Sequence, residues 1–147
     1  MKRALIVGVT GQDGAYLARA LLGRDVEVYG TSRSLKSPDT AGLLSLKVRP
    51  LVNLLSLEPL DMNAVCSVIE MTRPDMIFNL GGQSSVGESF ADPVGTFHSI
   101  TTAAANLLEA LRIVQPRARL YSAGSSECFG DCDGLPSNAA SPLRPSR

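Results

Sequence analysis

In the stretch "VGVTGQDGAYLARALL", Gly8, Gly11 and Gly14 recur at i, i+3 and i+6. A short apolar run, Ala4 to Val7, precedes them, and Leu17, Ala18, Leu21 and Leu22 follow on one helical face that stops at Gly23. This reads as a buried strand turning into a helix, with glycine where something must come close to the backbone. The chemistry that suits such a turn is anion binding. Gly8 permits the tight turn, Gly11 admits a pyrophosphate, and Gly14 lets the helix pack closely on the sheet. The amides around Thr10, Gln12 and Asp13 would then meet the phosphates at the positive end of the helix. Glycines serving turn geometry alone are the alternative, and the flanking strand and helix favour the dinucleotide.

The segment after the second strand bears on which dinucleotide. A site for NAD carries an acid about 20 residues beyond the glycines, bonded to the ribose 2′-hydroxyl. Here Tyr29 to Lys36 contains no acid and offers Arg33, Ser34 and Lys36 where a 2′-phosphate would sit. The reading is NADP; the alternative is that Arg33 is a solvated loop cation.

Other reactive residues suggest little chemistry. Cys66, Cys128 and Cys132 are an odd number for a disulfide framework, and His98 is the single histidine, so the thiols read as free and no metal site is expected. His98, beside Phe97, reads as packed or solvated. The 14 basic residues balance 14 acidic ones, which argues against nucleic acid as a partner. The apolar run after Lys2-Arg3 breaks at Thr10-Gly11-Gln12-Asp13, too early for an export signal, and no stretch approaches the ~20 apolar residues of a membrane span. A cytoplasmic protein is expected.

The elements that must position these residues alternate. The pattern predicts strands at 3–8, Val26–Tyr29, Val48–Leu54, Met76–Leu80 and Leu120–Ala123. It predicts helices at 14–23, Leu60–Met71 and about 94–114, with a loop at 34–47 that holds a helical turn near Leu43–Leu46. Alternation of this kind gives an α/β fold, a Rossmann-type doubly wound parallel sheet covered on both faces. With 147 residues and 44% hydrophobic composition the chain fits one domain and can bury roughly two-thirds of its unfolded surface. Five strands followed by the proline- and serine-containing segment 131–147 leave the sheet incomplete. Residues 1–147 therefore read as a truncated NADP-binding domain without a second, substrate-binding domain. An exposed sheet edge and self-association are expected of it.

Three segments together are familiar: "GVTGQDGAYLA", "NLGGQSSVGESF" and "SAGSSECFG". On them the sequence resembles the extended short-chain dehydrogenase/reductases, and among these the GDP-mannose 4,6-dehydratase family. The resemblance covers the whole chain but less than half of a family member. It implies tightly bound NADP, with Gly8 through Gly14 on the pyrophosphate and Arg33 and Ser34 on the adenosine phosphate. It implies that Leu80, Gly81, Gly82, Gln83 and Ser84 line the nicotinamide ribose, and that Ser85, Val86 and Ser126 face the nucleotide sugar. Asn53-Leu54 would stand where the family has Asp-Leu beside the adenine, and Gly95 where it often has a ribose-binding tyrosine.

The chemistry implied is an internal redox cycle on GDP-mannose, giving GDP-4-dehydro-6-deoxy-mannose and water. Hydride leaves C4 of the hexose, the new ketone acidifies the C5 proton, the 6-hydroxyl departs as water, and hydride returns at C6. By resemblance Ser125 hydrogen-bonds the 4-hydroxyl and Glu127 takes the C5 proton; on its residues alone, Glu127 reads equally well as a solvated loop acid. The family's Tyr-x-x-x-Lys pair is not in this sequence, since Tyr16, Tyr29 and Tyr121 have no lysine four residues on. Three readings stay open: an amino-terminal part of a dehydratase, inactive alone; a non-catalytic dinucleotide-binding remnant; and a related nucleotide-sugar epimerase or reductase. Glu127 favours the first, and the whole protein is expected to be a homo-oligomer.

Overall fold

The computed structural model describes residues 1–33, 35, 40–132, 134 and 136–145. Five strands, β1 (Arg3–Val7), β2 (Glu27–Ser32), β3 (Asn53–Ser56), β4 (Met76–Asn79) and β5 (Arg119–Ser122), form one sheet in the order β3-β2-β1-β4-β5. Every neighbouring pair is parallel. The chain builds outward from β1 to β3 on one side, then crosses back to place β4 on the other flank of β1. The direction of winding reverses between β1 and β4, and that gap is where a doubly wound sheet opens a crevice at its carboxyl edge.

β1 is apolar from Ala4 to Val7 because it is covered on both faces. Ala4 and Ile6 pack with Ala15, Ala18 and Leu21 of α1 (Gln12–Leu22) and Leu43 of α2 (Ala41–Ser45). Leu5 and Val7 point the other way, to Val65 and Ile69 of α3 (Met62–Thr72) and Leu107 and Leu111 of α6 (Ala103–Val114). The period-two alternation of one strand thus feeds two cores. α3 starts at Asp61, whose carboxylate accepts the Asn63 and Ala64 amide N–H groups at 2.9 and 3.2 Å. At the amino ends of the strands, Arg3 pairs with Glu27 at 3.1 Å and its N–H donates to Asp75 at 2.8 Å. The Tyr29 hydroxyl donates to Glu27 at 2.7 Å, and this bond, with burial and the carboxylate's charge, holds the phenol above its ordinary pKa.

Several boundaries differ from the sequence reading. The third strand is Asn53–Ser56, not Val48–Leu54, because Arg49–Leu51 is a 3₁₀ turn with Pro50 as its second residue, which lacks the N–H a ladder needs. Val48 and Val52 are buried, but in the core beside α2 rather than in the sheet. The long helix is α5 (Pro93–Phe97), a π turn (His98–Thr102) and α6 in succession. A further helix, α4 (Val86–Ala91), was not expected. β2 extends through Gly30, where a Cβ would lie 2.7 Å from Val9 Cβ, so a glycine lets the first turn fold down onto the sheet. β5 is an edge strand, and its Tyr121 stays 57% exposed.

Ile77 sits in β4 with no exposed surface, between β1 and β5. Ile77→Ala should therefore lower the unfolding free energy by about 2–5 kcal/mol, read from denaturant titration, whereas Leu44→Ala, 60% exposed on α2, should change it by no more than about 0.5 kcal/mol.

Candidate functional site

A cleft of about 820 Å³ opens at the carboxyl ends of β1, β2, β3 and β4. Gly8, Thr10 and Gly11 line it from the turn after β1, and Thr31, Ser32 and Arg33 from the end of β2. Leu80 through Ser84 line it from the loop after β4, and Thr96, Ser99 and Ala103 from the helical run beyond.

The three glycines differ in what requires them. Gly8 has φ +85°, and a Cβ on it would lie 3.0 Å from Gly81 N and Leu80 O, so the turn after β1 and the loop after β4 touch through bare backbone. At Gly14 a Cβ would lie 2.7 Å from Val9 Cα, which packs α1 directly on the turn. At Gly11 a Cβ would meet only Gly8 O, at 3.4 Å. Nothing among the described residues excludes a side chain at Gly11; what a side chain would obstruct is the cleft. The first turn of α1 also has no side-chain cap, in contrast to Asp61 on α3. Its amides and positive end are left for an anion. The donor set, the open approach at Gly11 and the position at the strand-order switch fit the pyrophosphate of a dinucleotide.

Neither Gln12 nor Asp13 lines the cleft, and Gln12 lies in a separate shallow groove with Tyr16 and Ser45. Arg33 is exposed and is the cation among the described residues that line the cleft. Ser34 and Lys36 lie outside the described residues. Asn53 and Leu54 begin β3, paired with Tyr29 and Gly30, and they do not line the cleft. A ligand site needs the carboxyl end of a strand, and there β3 presents Leu57, Glu58, Pro59 and Leu60. Glu58 thus stands on the wall of the cleft, and its carboxylate accepts the Leu60 N–H at 3.3 Å.

In the loop after β4, Gln83 is fastened to its own neighbourhood. Its Nε2 donates to Ser85 O at 2.8 Å and reaches Thr96 Oγ1 at 3.5 Å, while its Oε1 accepts the Ser85 N–H. The Ser85 hydroxyl caps α4 by accepting the Glu88 N–H at 3.3 Å, and Ser85 and Val86 stand outside the lining of the cleft. In their place the structure supplies Glu88, Asp92, Gly95, Thr96 and Ser99. Asp92 caps α5 through the Gly95 N–H at 2.9 Å, and a Cβ on Gly95 would crowd that carboxylate at 2.7 Å from its Cγ. The Asp-Pro start of α5 was the available signal, a capping acid followed by proline at the first helical position.

Ser125, Ser126 and Glu127 follow β5. The Ser125 Oγ accepts the Glu127 N–H at 3.2 Å and starts a 3₁₀ turn, Ser126–Phe129. All three are exposed and none lines the cleft. They share its edge of the sheet because β5 is tied to β4 by Ala123 N–H to Asn79 O at 3.0 Å and Asn79 Nδ2 to Ser122 Oγ at 3.2 Å. Cys66, Cys128 and Cys132 are free thiols. His98 lies edge-on to Phe97, with Nδ1 3.0 Å from Thr102 Oγ1. No helix among the described residues is long and apolar enough to cross a membrane.

Residues 5–147 match the family model described as GDP-mannose 4,6 dehydratase. The GDP-mannose 4,6-dehydratase of Yersinia enterocolitica is 35% identical over 152 residues, covering 99% of this chain and 41% of that protein. GDP-mannose 4,6 dehydratase 1 of Arabidopsis thaliana is 38% identical over 98% of this chain and 42% of its own length. The chain spans about two-fifths of these curated relatives. Among solved structures, UDP-glucose 4-epimerase from Brucella ovis in complex with NAD superposes with a TM-score of 0.85 at 20% identity, over 99% of this chain and 42% of that one, a likeness of fold.

The glycine geometry makes a paired prediction. Gly14→Ala should cost at least about 2 kcal/mol of stability, because its Cβ meets backbone. Gly11→Ala should cost less than about 1 kcal/mol and still weaken binding of NADP⁺ or NAD⁺ about tenfold, with denaturant titration and isothermal calorimetry as the two measurements.

Proposed function

The chain belongs to the GDP-mannose 4,6-dehydratase family, and from that premise we propose that it is the dinucleotide-binding part of a nucleotide-sugar 4,6-dehydratase acting on GDP-mannose with NADP. The observation that carries the reading is Gly11: a glycine that the fold does not need, at the open amino end of α1, on the wall of a cleft at the strand-order switch. The amides of Gly8 through Gly14 hold the pyrophosphate, and the loop Leu80–Ser84 receives the nicotinamide ribose.

NADP rather than NAD is supported by the end of β2, where Arg33 lines the cleft and, among the described residues, no acid does. Arg33, with Ser34, supplies charge-assisted hydrogen bonds to the 2′-phosphate. When bound, NADP supplies hydride acceptance at C4 of the hexose and hydride return at C6.

The work of this chain's own residues is proton handling and binding. The Ser125 hydroxyl accepts from the Glu127 amide and has its proton to donate toward the sugar's 4-oxygen. Glu127 removes the C5 proton once the 4-ketone has acidified it, a general-base step worth about 10²–10⁴-fold. Ser85, Val86 and Ser126 bound the space for the nucleotide sugar. Hydride transfer requires a base for the 4-hydroxyl that none of Tyr16, Tyr29 and Tyr121 provides in a Tyr-x-x-x-Lys setting. The whole protein, assembled as a homo-oligomer, is the catalytic form.

Two outcomes check this reading. Arg33→Ala should weaken NADP⁺ by about 1–3 kcal/mol and leave NAD⁺ nearly unchanged; equal losses in paired titrations would refute the assignment to the 2′-phosphate. Joined to the carboxy-terminal remainder of a family member, the chain should convert GDP-mannose to the 4-keto-6-deoxy sugar. Glu127→Gln in that protein should then lower turnover about 10²–10⁴-fold while exchange of hydride at C4 persists. Full turnover by Glu127→Gln would remove the base from the scheme.

A further inference from the structure

The helical run from Pro93 to Val114 carries one face toward the cleft. Thr96, Ser99, Ala103 and Asn106 recur at spacings of three, four and three, and the same face continues into the core at Ala110, which has no exposed surface. Two sets of hydrogen bonds leave this face for different walls of the cleft. At one end the Gln83 N–H donates to Ser99 Oγ at 3.3 Å, and Ser99 in turn donates to Thr96 O at 2.9 Å. At the other end Asn106 Nδ2 donates to Pro59 O at 2.9 Å, across 47 positions of sequence. Gln83 belongs to the wall after β4, and Pro59 to the wall after β3. Glu58 and Leu60, which flank Pro59, line the cleft with it.

We propose that Asn106 and Ser99 are positioning residues that set the separation of the two walls, Asn106 holding the loop after β3 and Ser99 the loop after β4. The inference rests on the dinucleotide reading above. In a doubly wound sheet the ends of β2 and β3 serve the adenosine half, since the residue that senses the ribose 2′ position follows β2, and the far side of the switch serves the nicotinamide half. Asn106 therefore acts on the adenosine side and Ser99 on the nicotinamide side, although neither residue is needed to touch the ligand. Their partners are a backbone carbonyl and a backbone N–H, so the bonds fix where each loop runs. Binding across two loops is sensitive to placement at the level of an ångström.

The test uses NADP⁺ and its adenosine half, 2′,5′-ADP (NAD⁺ and ADP if the wild type takes NAD⁺), titrated into the wild-type chain, Asn106→Leu and Ser99→Ala. Asn106→Leu should weaken both ligands about three- to tenfold, the range set by one lost hydrogen bond. Ser99→Ala should weaken the dinucleotide by a similar factor and leave the adenosine half unchanged. Asn106→Asp, isosteric but without the N–H donor, replaces Asn106→Leu should the latter fail to fold. Unchanged binding by the Asn106 variants, or equal losses of both ligands in Ser99→Ala, would overturn the assignment of separate walls. Failure of the wild-type chain to bind either dinucleotide would instead overturn the reading on which it rests.

Discussion

The structure turns on one close approach, the backbone of Gly8 against the backbone of Leu80 and Gly81. A residue with any side chain would have to leave the left-handed region of φ and also push these two loops apart. The contact exists because β1 and β4 are neighbours in parallel register, Val7 beside Asn79, so both chains leave the sheet at the same level. Leu80 N–H to Val7 O at 3.0 Å carries the pairing one step past the strands. From there α1 rises on one side and the loop 80–84 on the other, and the space between them is the cleft.

Everything else at the carboxyl edge is placed relative to that crossing. Gly14 seats α1 on the turn and so aims its amino end across the opening, and Val9, lying over Gly30, holds the turn down on β2. The side chains around the opening are mostly occupied with building it. Gln83 clasps Ser85, Ser85 caps α4, Asp92 caps α5 and Asn106 holds Pro59. Hydrogen bonds of this kind stabilise only modestly, on the order of 1 kcal/mol each. They matter because each removes an alternative path for a loop that must present backbone groups to a ligand. Arg33, by contrast, is exposed on the rim, where a long flexible cation can reach a phosphate.

Local pattern carried much of this. The run Ala4 to Val7, the glycine spacing and the amphipathic helix that follows are signals within about 20 residues of one another, and each rests on backbone sterics or burial period. The five strands and their parallel arrangement followed from alternation with helices, since a parallel connection needs a covering crossover. The third strand was misplaced because Val48 and Val52 are as apolar as strand residues, yet their burial is against α2, and burial alone does not say in which element a residue is buried. The strand's true bounds also leave Asn53 and Leu54 at its beginning, with Glu58 and Pro59 on the wall of the cleft. α4 was hidden by its brevity and by polar residues whose helical state depends on the Ser85 cap.

What the amino-acid sequence determined by itself is therefore the kind of fold, the glycine turn between β1 and α1, the cationic residue after β2 and the family likeness, all properties of contiguous residues. Tertiary structure decided which side chains share the cleft. It brought in Glu58, Glu88, Asp92, Thr96 and Ser99 from four separate segments, turned Gln83 and Ser85 to structural hydrogen bonds, and set Ser125, Ser126 and Glu127 on the adjoining strand end, outside the lining. The physical reason is that a doubly wound sheet gathers the ends of non-consecutive strands at one edge. Which residues meet there depends on strand order and register, fixed by two-sided burial of β1, and no local spacing encodes that.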